Sequence, residues 1–355
     1  MKKSATYFEE RDNKNIEDIR LMLTSLPDFC SHFIRGIEPR TTSLTRLGYL
    51  RDIKIFLEFL ASNIKEFNGK KVEDIEASDL NQVTSLHLEM FLSYLNLYKN
   101  NGKLFKNGEK ARNRKLSSVR NFLKYLFKNN FIEKNVAEKV DSPKIREGEI
   151  IRLEVDEIVN LLNLSESGDG LTKMQKGFHK HTSIRDFAIM SVFLGTGIRI
   201  SELVGLNISD IFFDQNSFKV TRKGGSKVIL YYNSEVENAL KQYLNQRTKI
   251  KVADEVHENA LFLSLQKRRI SVRAVEKLVK KYSQIISPLK NITPHKLRST
   301  FGTNLYRETN DIYIVADVLG HKDVNTTRKH YAAISEDIRR NAATKVKLRD
   351  NENNF

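Results

Sequence analysis

The sequence contains one cysteine, Cys30, among 355 residues. A lone thiol forms no intrachain disulfide and builds no multi-cysteine zinc or iron–sulfur centre, which fits a reducing cytoplasm. Cys30 is expected to be a packed side chain. Long apolar runs are missing too: no stretch approaches the roughly 18 apolar residues of a membrane span. The N-terminal MKKSATYFEERDNKN turns acidic and polar after two lysines, unlike a secretory signal. No internal repeat or low-complexity tract is present. A cytoplasmic globular protein is therefore expected. Acidic residues are in the minority, with 44 Asp and Glu against 60 Lys and Arg and a formal charge of +16. The sequence pI is about 9.6. Such an excess favours a polyanionic partner through counterion release. Nucleic acid leads, although ribosome-associated and membrane-surface proteins share the feature.

The chain length and its 40% hydrophobic content suit roughly two domains, each with its own core. Residues 1–40 read as an N-terminal extension, an extra helix or a partner contact. Residues 41–141 read as a helical domain. Leu47, Leu50, Ile53, Leu57 and Leu60 recur at three- and four-residue steps, as one buried helical stripe requires. A second stripe, Leu88, Phe91, Leu92 and Leu95, follows an Ala77-Ser78-Asp79 stretch suited to capping a turn. In a third helix, over residues 113–128, Leu116, Val119, Phe122, Leu123 and Leu126 share one arc. Asn113, Ser117, Arg120, Asn121, Lys124 and Lys128 lie opposite. Lys99 to Lys139 holds twelve Lys or Arg against three Glu. That density suggests a phosphate-contacting surface, with Arg112, Arg114, Lys115, Arg120, Lys124 and Lys128 as candidates. A merely solvated face is the alternative.

Residues 142–152, within DSPKIREGEIIR, combine proline, glycine and mixed charge, as an interdomain linker does. A second domain follows over 153–335. Val155, Ile158, Val159 and Leu162 begin it as a helix, and residues 165–183 read as a polar surface loop carrying His179 and His181. No metal partners accompany these histidines, and neither metal nor cofactor is expected. Residues 217–232 show two β-rich runs around Lys223-Gly224-Gly225-Ser226, where paired glycines suit a tight hairpin. Helices are expected at 234–246, 271–287, 295–307, 311–318 and about 325–331, with a tail helix near 335–346. The fold class is mainly α with a small antiparallel sheet in the C-terminal domain.

Four segments then need to be read together: Gly195-Thr196-Gly197-Ile198-Arg199-Ile200-Ser201-Glu202-Leu203, the Lys223 hairpin, His295-Lys296-Leu297-Arg298, and Leu319-Gly320-His321 followed by Thr326, Thr327 and Tyr331. In this order they resemble the catalytic domain of tyrosine recombinases, the family of phage and transposon integrases and Xer recombinases. The resemblance is strong over about residues 150–335; residues 40–140 match only as a helical core-binding domain. It implies a two-domain clamp on duplex DNA, attack by Tyr331 on the scissile phosphate, a 3′-phosphotyrosine intermediate and a free 5′-hydroxyl. It also implies a synaptic tetramer in which the C-terminal segment docks on a neighbour. Ile338, Ala342 and Val346 give the 336–355 tail a narrow apolar stripe for that role, or for packing on its own chain.

The chemistry of these residues is consistent with that resemblance. Cleaving a phosphodiester without a metal requires charge to be neutralised on the non-bridging oxygens, and the fixed fork of arginine suits this better than a lysine point charge. Arg199 and Arg298 are the candidates, and losing one such donor costs roughly 10²- to 10³-fold in rate. A structural salt bridge is the ordinary alternative for each alone. Arg199, at a helix start after a Gly-Thr-Gly turn, reads as an anion site. Glu202, three residues on, could hold its guanidinium. Tyrosine has a pKa of about 10, and two guanidiniums make its phenolate accessible. Lys223 is the matching general acid, with Lys227 as the fallback. His295 shares a helical face with Arg298, and both His295 and His321 suit proton transfer or phosphate binding.

His321 and Tyr331 are ten positions apart, one more than the commonest spacing of the pattern, and His330 occupies the earlier position. One residue turns a helix by about 100°, so the segment before Tyr331 must compensate. Tyr306 and Tyr313 precede the Gly-His segment and match less well. Two rivals stay open. A type IB topoisomerase shares the chemistry but relaxes DNA as a monomer, and the helical N-terminal block of ordinary integrase size argues against it. A catalytically silent DNA-binding relative is opposed by the complete residue set.

Overall fold

The structure is a computed structural model and describes residues 7–100, 102–144, 151–222, 225–320 and 324. The chain divides into two compact units, Met1–Gly148 and Glu149–Phe355, and the division falls inside the segment read as a linker.

In the first unit, helices α1 (Tyr7–Leu23), α2 (Asp28–Ile37), α3 (Ser43–Asn63), α4 (Ser85–Tyr94) and α5 (Glu109–Lys128) surround one core. α3 starts where the Thr42 side chain accepts from the Thr45 N–H, and it ends where Ile64 turns extended. Its expected stripe is buried, as is that of α5. Phe33 and Phe122 meet edge to face with ring centres 5.3 Å apart. Each such fully buried large side chain contributes about 1.5–3 kcal/mol.

Residues 7–40 are part of this core. α1 packs along α3, and α2 buries Phe29, Cys30, Phe33, Ile34 and Ile37, positions that recur at helical spacing. Burial, with Asp28 nearby, pushes the Cys30 thiol up to about 12. α2 and α5 approach so closely at Gly36 that a Cβ there would fall into the Tyr125 ring.

A hairpin of β1 (Leu97–Asn100) and β2 (Lys103–Lys106) precedes α5, pairing Tyr98 with Phe105, whose rings stack. It is a departure from the wholly helical domain expected over residues 41–141. The Asn101-Gly102 dipeptide between two β-prone runs was its signal, and Gly102 has φ +74°.

The second unit contains α6 (Val155–Ser167), α7 (Lys173–Thr196), α8 (Ile200–Gly205), α9 (Ser234–Arg247), α10 (Val272–Ile286), α11 (Pro294–Thr309) and α12 (Ile312–Leu319). An antiparallel sheet of order β3 (Ile211–Phe212), β4 (Ser217–Thr221) and β5 (Lys227–Tyr231) sits among them. Its β4–β5 register ends at Thr221 opposite Lys227. The described residues are thus mainly helical with small antiparallel sheets. The expected helices at 325–331 and 335–346 lie outside them.

The expected loop at 165–183 is corrected. Only a short connection after Gly168 separates α6 from α7, whose first turn is capped by a Thr172–Gln175 box. His179 is therefore a helical residue. It is 6% exposed, with Nδ1 3.0 Å from the Tyr282 hydroxyl and Nε2 3.2 Å from the Glu166 carbonyl oxygen. The Tyr282 hydroxyl donates to Asp186 at 2.8 Å. Burial, and then the Asp186 charge, push that hydroxyl above its ordinary range. Asp186, 1% exposed, also accepts from Arg185 at 2.7 Å and from Lys281 at 3.1 Å. This network ties α7 to α10. Among the described residues no group of three or more His, Cys, Asp or Glu is placed to hold a metal, and no helix is long and apolar enough to cross a membrane.

Candidate active site

The Gly195-to-Leu203 segment forms a sharp corner between α7 and α8. Gly197 closes α7 in the left-handed region at φ +61°, and a Cβ on it would strike Phe301 of α11 and Leu319 of α12. Glycine is needed there both for the backbone and for the approach of these two helices. Arg199 then stands at the N-cap of α8.

Arg298 reaches the same corner from α11. It is 6% exposed; one Nη donates to the Gly197 carbonyl at 2.5 Å and the other to the Leu319 carbonyl. Arg199 donates one Nη to Glu202 at 2.9 Å and the other to the Gly320 carbonyl at 3.1 Å. Two guanidiniums from separate helices therefore hang on consecutive carbonyls at the C-terminal end of α12, where the helix dipole is negative. The Arg199 side chain is 34% exposed and that of Glu202 only 2%, so the arginine offers an open edge while the acid lies behind it. Two fixed cations facing one buried carboxylate leave the corner net positive and suited to an anion.

The anion site read at the start of α8 is modified. The Arg199 N–H donates to Glu202 Oε2 at 3.0 Å, so the protein's own carboxylate engages the backbone there. The excess positive charge comes from the side chains.

His295 is exposed at the second position of α11, one turn before Arg298. Lys223, His321 and Tyr331 lie outside the described residues; the residues immediately before Lys223 and His321 are described. The β4–β5 hairpin leads into Lys223, and Gly320, at φ +62°, immediately precedes His321.

Arg222, the residue before Lys223, joins the same corner. It donates to the Val318 carbonyl at 3.3 Å, and its guanidinium fills the space where a Cβ on Gly320 would stand. A side chain at a strand end has no periodic sequence signal, so only the tertiary fold exposes this contact.

The six basic candidates of the first unit have different surroundings. Lys124 and Lys128 are exposed on α5. Lys115 is 7% exposed and faces Asp52 at 3.7 Å. Burial pulls its ammonium below lysine's ordinary value, with Asp52 pulling the other way. It is not a surface cation; its place beside Leu116 and one turn before Val119 puts it on the buried arc. Arg114 forks onto Asp52 at 2.5 and 2.9 Å. Arg120 donates to the Ala137 and Val140 carbonyls and to Ser142, clasping the segment after α5. Arg112 is half-buried, and its Nε has no hydrogen-bond partner among the described residues. Beside α5 lies a shallow groove of about 560 Å³ lined by Ser117, Arg120, Asn121 and Lys124 together with Glu138 and Asp141.

Comparison with known proteins gives a consistent result. Residues 151–337 match the phage integrase family. The tyrosine recombinase XerC of Caldanaerobacter subterraneus subsp. tengcongensis is 33% identical over 335 residues, spanning 91% of this chain and 86% of that protein. XerC of Syntrophus aciditrophicus is 29% identical over 304 residues, spanning 84% and 90%. Among solved structures, the XerH site-specific recombinase bound to a palindromic difH substrate has a TM-score of 0.63 at 18% identity, covering 85% of this chain and 80% of that one. The Tn1549 transposon integrase in complex with transposon right end DNA has a TM-score of 0.60 at 20% identity, covering 88% and 99%. These structural likenesses speak for the fold.

Proposed function

The chain belongs to the phage integrase family, and from that premise we propose how its residues divide the work of a tyrosine-type site-specific DNA recombinase. The observation that carries the assignment is the convergence of Arg199 and Arg298 on the carbonyls of Leu319 and Gly320. The arrangement sets two guanidiniums beside the residue that leads into His321.

A scissile phosphate at this corner receives the Arg199 and Arg298 donors on its non-bridging oxygens, where charge gathers in the transition state. The Tyr331 hydroxyl gives its proton to His295 or His321, and its oxygen attacks phosphorus. The bond to the 5′-oxygen breaks as Lys223 supplies the proton that oxygen needs. His295 and His321 serve proton transfer and phosphate binding, and Glu202 holds Arg199 in register. The 3′-phosphotyrosine linkage retains the bond energy, so rejoining by a 5′-hydroxyl requires neither ATP nor metal.

The XerH and Tn1549 integrase structures contain DNA. On this reading the partner of the present chain is duplex DNA carrying a specific recombination site, joined by four copies of the chain in a synaptic tetramer in the cytoplasm. Residues 41–141 act as the core-binding domain and 142–152 as the linker. Residues 153–335 act as the catalytic domain and 336–355 as the segment docked between subunits. Lys124 and Lys128 contact phosphates directly, while Arg114 is held on Asp52.

The test is a nicked suicide substrate carrying the cognate site. The full chain is expected to form a covalent protein–DNA adduct that Tyr331→Phe abolishes. Absence of an adduct from the unaltered protein refutes the enzyme assignment. An adduct that persists in Tyr331→Phe moves the nucleophile to another tyrosine.

A further inference from the structure

Three consecutive carbonyls end α12, and each receives a guanidinium from a different part of the second unit. Val318 accepts from Arg222, Leu319 from Arg298 and Gly320 from Arg199. The roles assigned above use two of these arginines and leave the third without one.

Arg222 is well placed for a role of its own. It follows the last paired residue of β4, Thr221. Its N–H donates to the Ser226 carbonyl at 2.8 Å, and its own carbonyl accepts from the Gly225 N–H at 3.0 Å, so its backbone is fixed at the mouth of the hairpin. Its side chain then crosses to α12 and lies against Gly320, where a Cβ would collide with the guanidinium. The buried Nε has no hydrogen-bond partner among the described residues, so the contact rests on the Nη group and on packing over the glycine. Arginine is otherwise free to hydrate at a hairpin mouth. Here it lies over a residue with no side chain, and the residue next in sequence on each side, Lys223 or His321, is a candidate in the chemistry.

We infer that Arg222 is a positioning residue that clamps the end of β4 to the C-terminal end of α12, and that loss of this clamp impairs the protonation of the leaving 5′-oxygen assigned above to Lys223. This rests on the recombinase reading and on Lys223 as the general acid. The clamp touches no reacting atom. Its effect falls on the departure of the leaving group, whereas Arg199 and Arg298 act on the non-bridging oxygens.

Leaving-group chemistry separates these roles. When sulfur replaces the bridging 5′-oxygen of the scissile phosphate, the group departs as a thiolate, whose conjugate acid has a pKa of about 8.5, and needs no proton. A misplaced general acid then no longer matters. Suicide substrates with oxygen or sulfur at this position are compared for the unaltered full chain and for Lys223→Ala, Arg222→Ala, Arg222→Lys and Arg298→Ala, reading the rate of adduct formation, with DNA affinity measured by electrophoretic shift.

On the oxygen substrate Arg222→Ala is expected to lose about 10²-fold, the scale of a misplacement near 1 Å, with DNA affinity unchanged. On the sulfur substrate it and Lys223→Ala return to within a few-fold of the unaltered protein, while Arg298→Ala stays slow. Arg222→Lys, which keeps the charge and one donor, falls between. It carries the same comparison if the alanine variant does not fold. An equal defect on both substrates overturns the inference, because Arg222 then acts on the phosphate or on the fold as a whole, and no defect on either also overturns it. If Lys223→Ala is not rescued by sulfur, the general-acid assignment fails and the clamp's role fails with it. If the unaltered protein forms no adduct with either substrate, the recombinase reading itself is at fault.

Discussion

Two clusters of cations, one in each unit, are held by partners of different kinds. In the first, Arg114 and Lys115 gather on Asp52, a carboxylate 2% exposed that also accepts from Ser118. In the second, Arg199, Arg222 and Arg298 gather on backbone carbonyls, and Glu202 pairs with Arg199. A carboxylate cancels the charge it holds, whereas a carbonyl fixes a guanidinium and leaves its charge available. The first arrangement spends positive charge on folding. The second keeps it for a ligand. Counting lysines and arginines therefore overstates the charge that α5 leaves available to a ligand and understates what is concentrated in the corner at Gly197.

Removing the anchor in each unit tests this contrast most strongly. Asp52→Ala leaves the buried Lys115 without its carboxylate and is expected to cost about 3–5 kcal/mol of stability, as breaking a buried ion pair does, read by urea unfolding. A loss under about 1 kcal/mol, the scale of a surface pair, would mean that the cluster does not depend on its acid. Arg298→Ala is expected to slow strand cleavage by roughly 10²- to 10³-fold while binding persists. Arg298→Lys is not expected to restore it, because a point charge does not span the Gly197 and Leu319 carbonyls as a fork does. Full activity in the lysine variant would break the contrast.

Smaller effects sharpen it. Lys124→Ala and Lys128→Ala are each expected to reduce the slope of log affinity against log salt by about 0.9, uniformly across DNA sequences. Arg120→Ala, whose donors go to Ala137, Val140 and Ser142, should leave that slope unchanged and lower the melting temperature instead. A salt-slope change in Arg120→Ala equal to that in Lys124→Ala would return Arg120 to the phosphate-contacting set.

The smallest expected effect is one of pH. Burial works against ionisation of Glu157, but hydrogen bonds from Lys290 at 2.5 Å and from Ser287 outweigh it and hold the carboxyl below the ordinary glutamate range. A carboxyl depressed on folding contributes stability above its unfolded pKa, and that stability is lost as pH falls through the folded value. Glu157→Gln should therefore flatten the decline in stability below about pH 4.5, the region of the unfolded glutamate pKa, in thermal unfolding across a pH series. An unchanged decline would place the acid sensitivity elsewhere.

Periodic features were legible in the sequence. The stripes of α3 and α5 were read correctly because a buried helical face repeats every three to four residues, and Arg199 with Arg298 was marked by the Gly-Thr-Gly turn and the His-Lys-Leu-Arg run. Other features escape the sequence pattern for physical reasons. Polar residues at 173–183 suggested a loop, yet a long helix tolerates them on its outer faces, and the Thr172–Gln175 box was the overlooked start signal. Lys115 was grouped by charge rather than by its place on the wheel. Arg222 had no pattern to reveal it, since its partners lie 96 positions away at Val318 and beyond.

The carbonyls of Val318, Leu319 and Gly320 bear on how this corner can evolve. A guanidinium bound to main chain is indifferent to which side chain that main chain carries. Positions 318 and 319 can drift among helix-compatible apolar residues without loosening the arginines. Gly320 is denied that freedom by its φ of +62° and by the guanidinium lying against it. Among relatives, substitution at 320 is therefore expected to accompany loss of the arginine at 222, so the two positions should vary together.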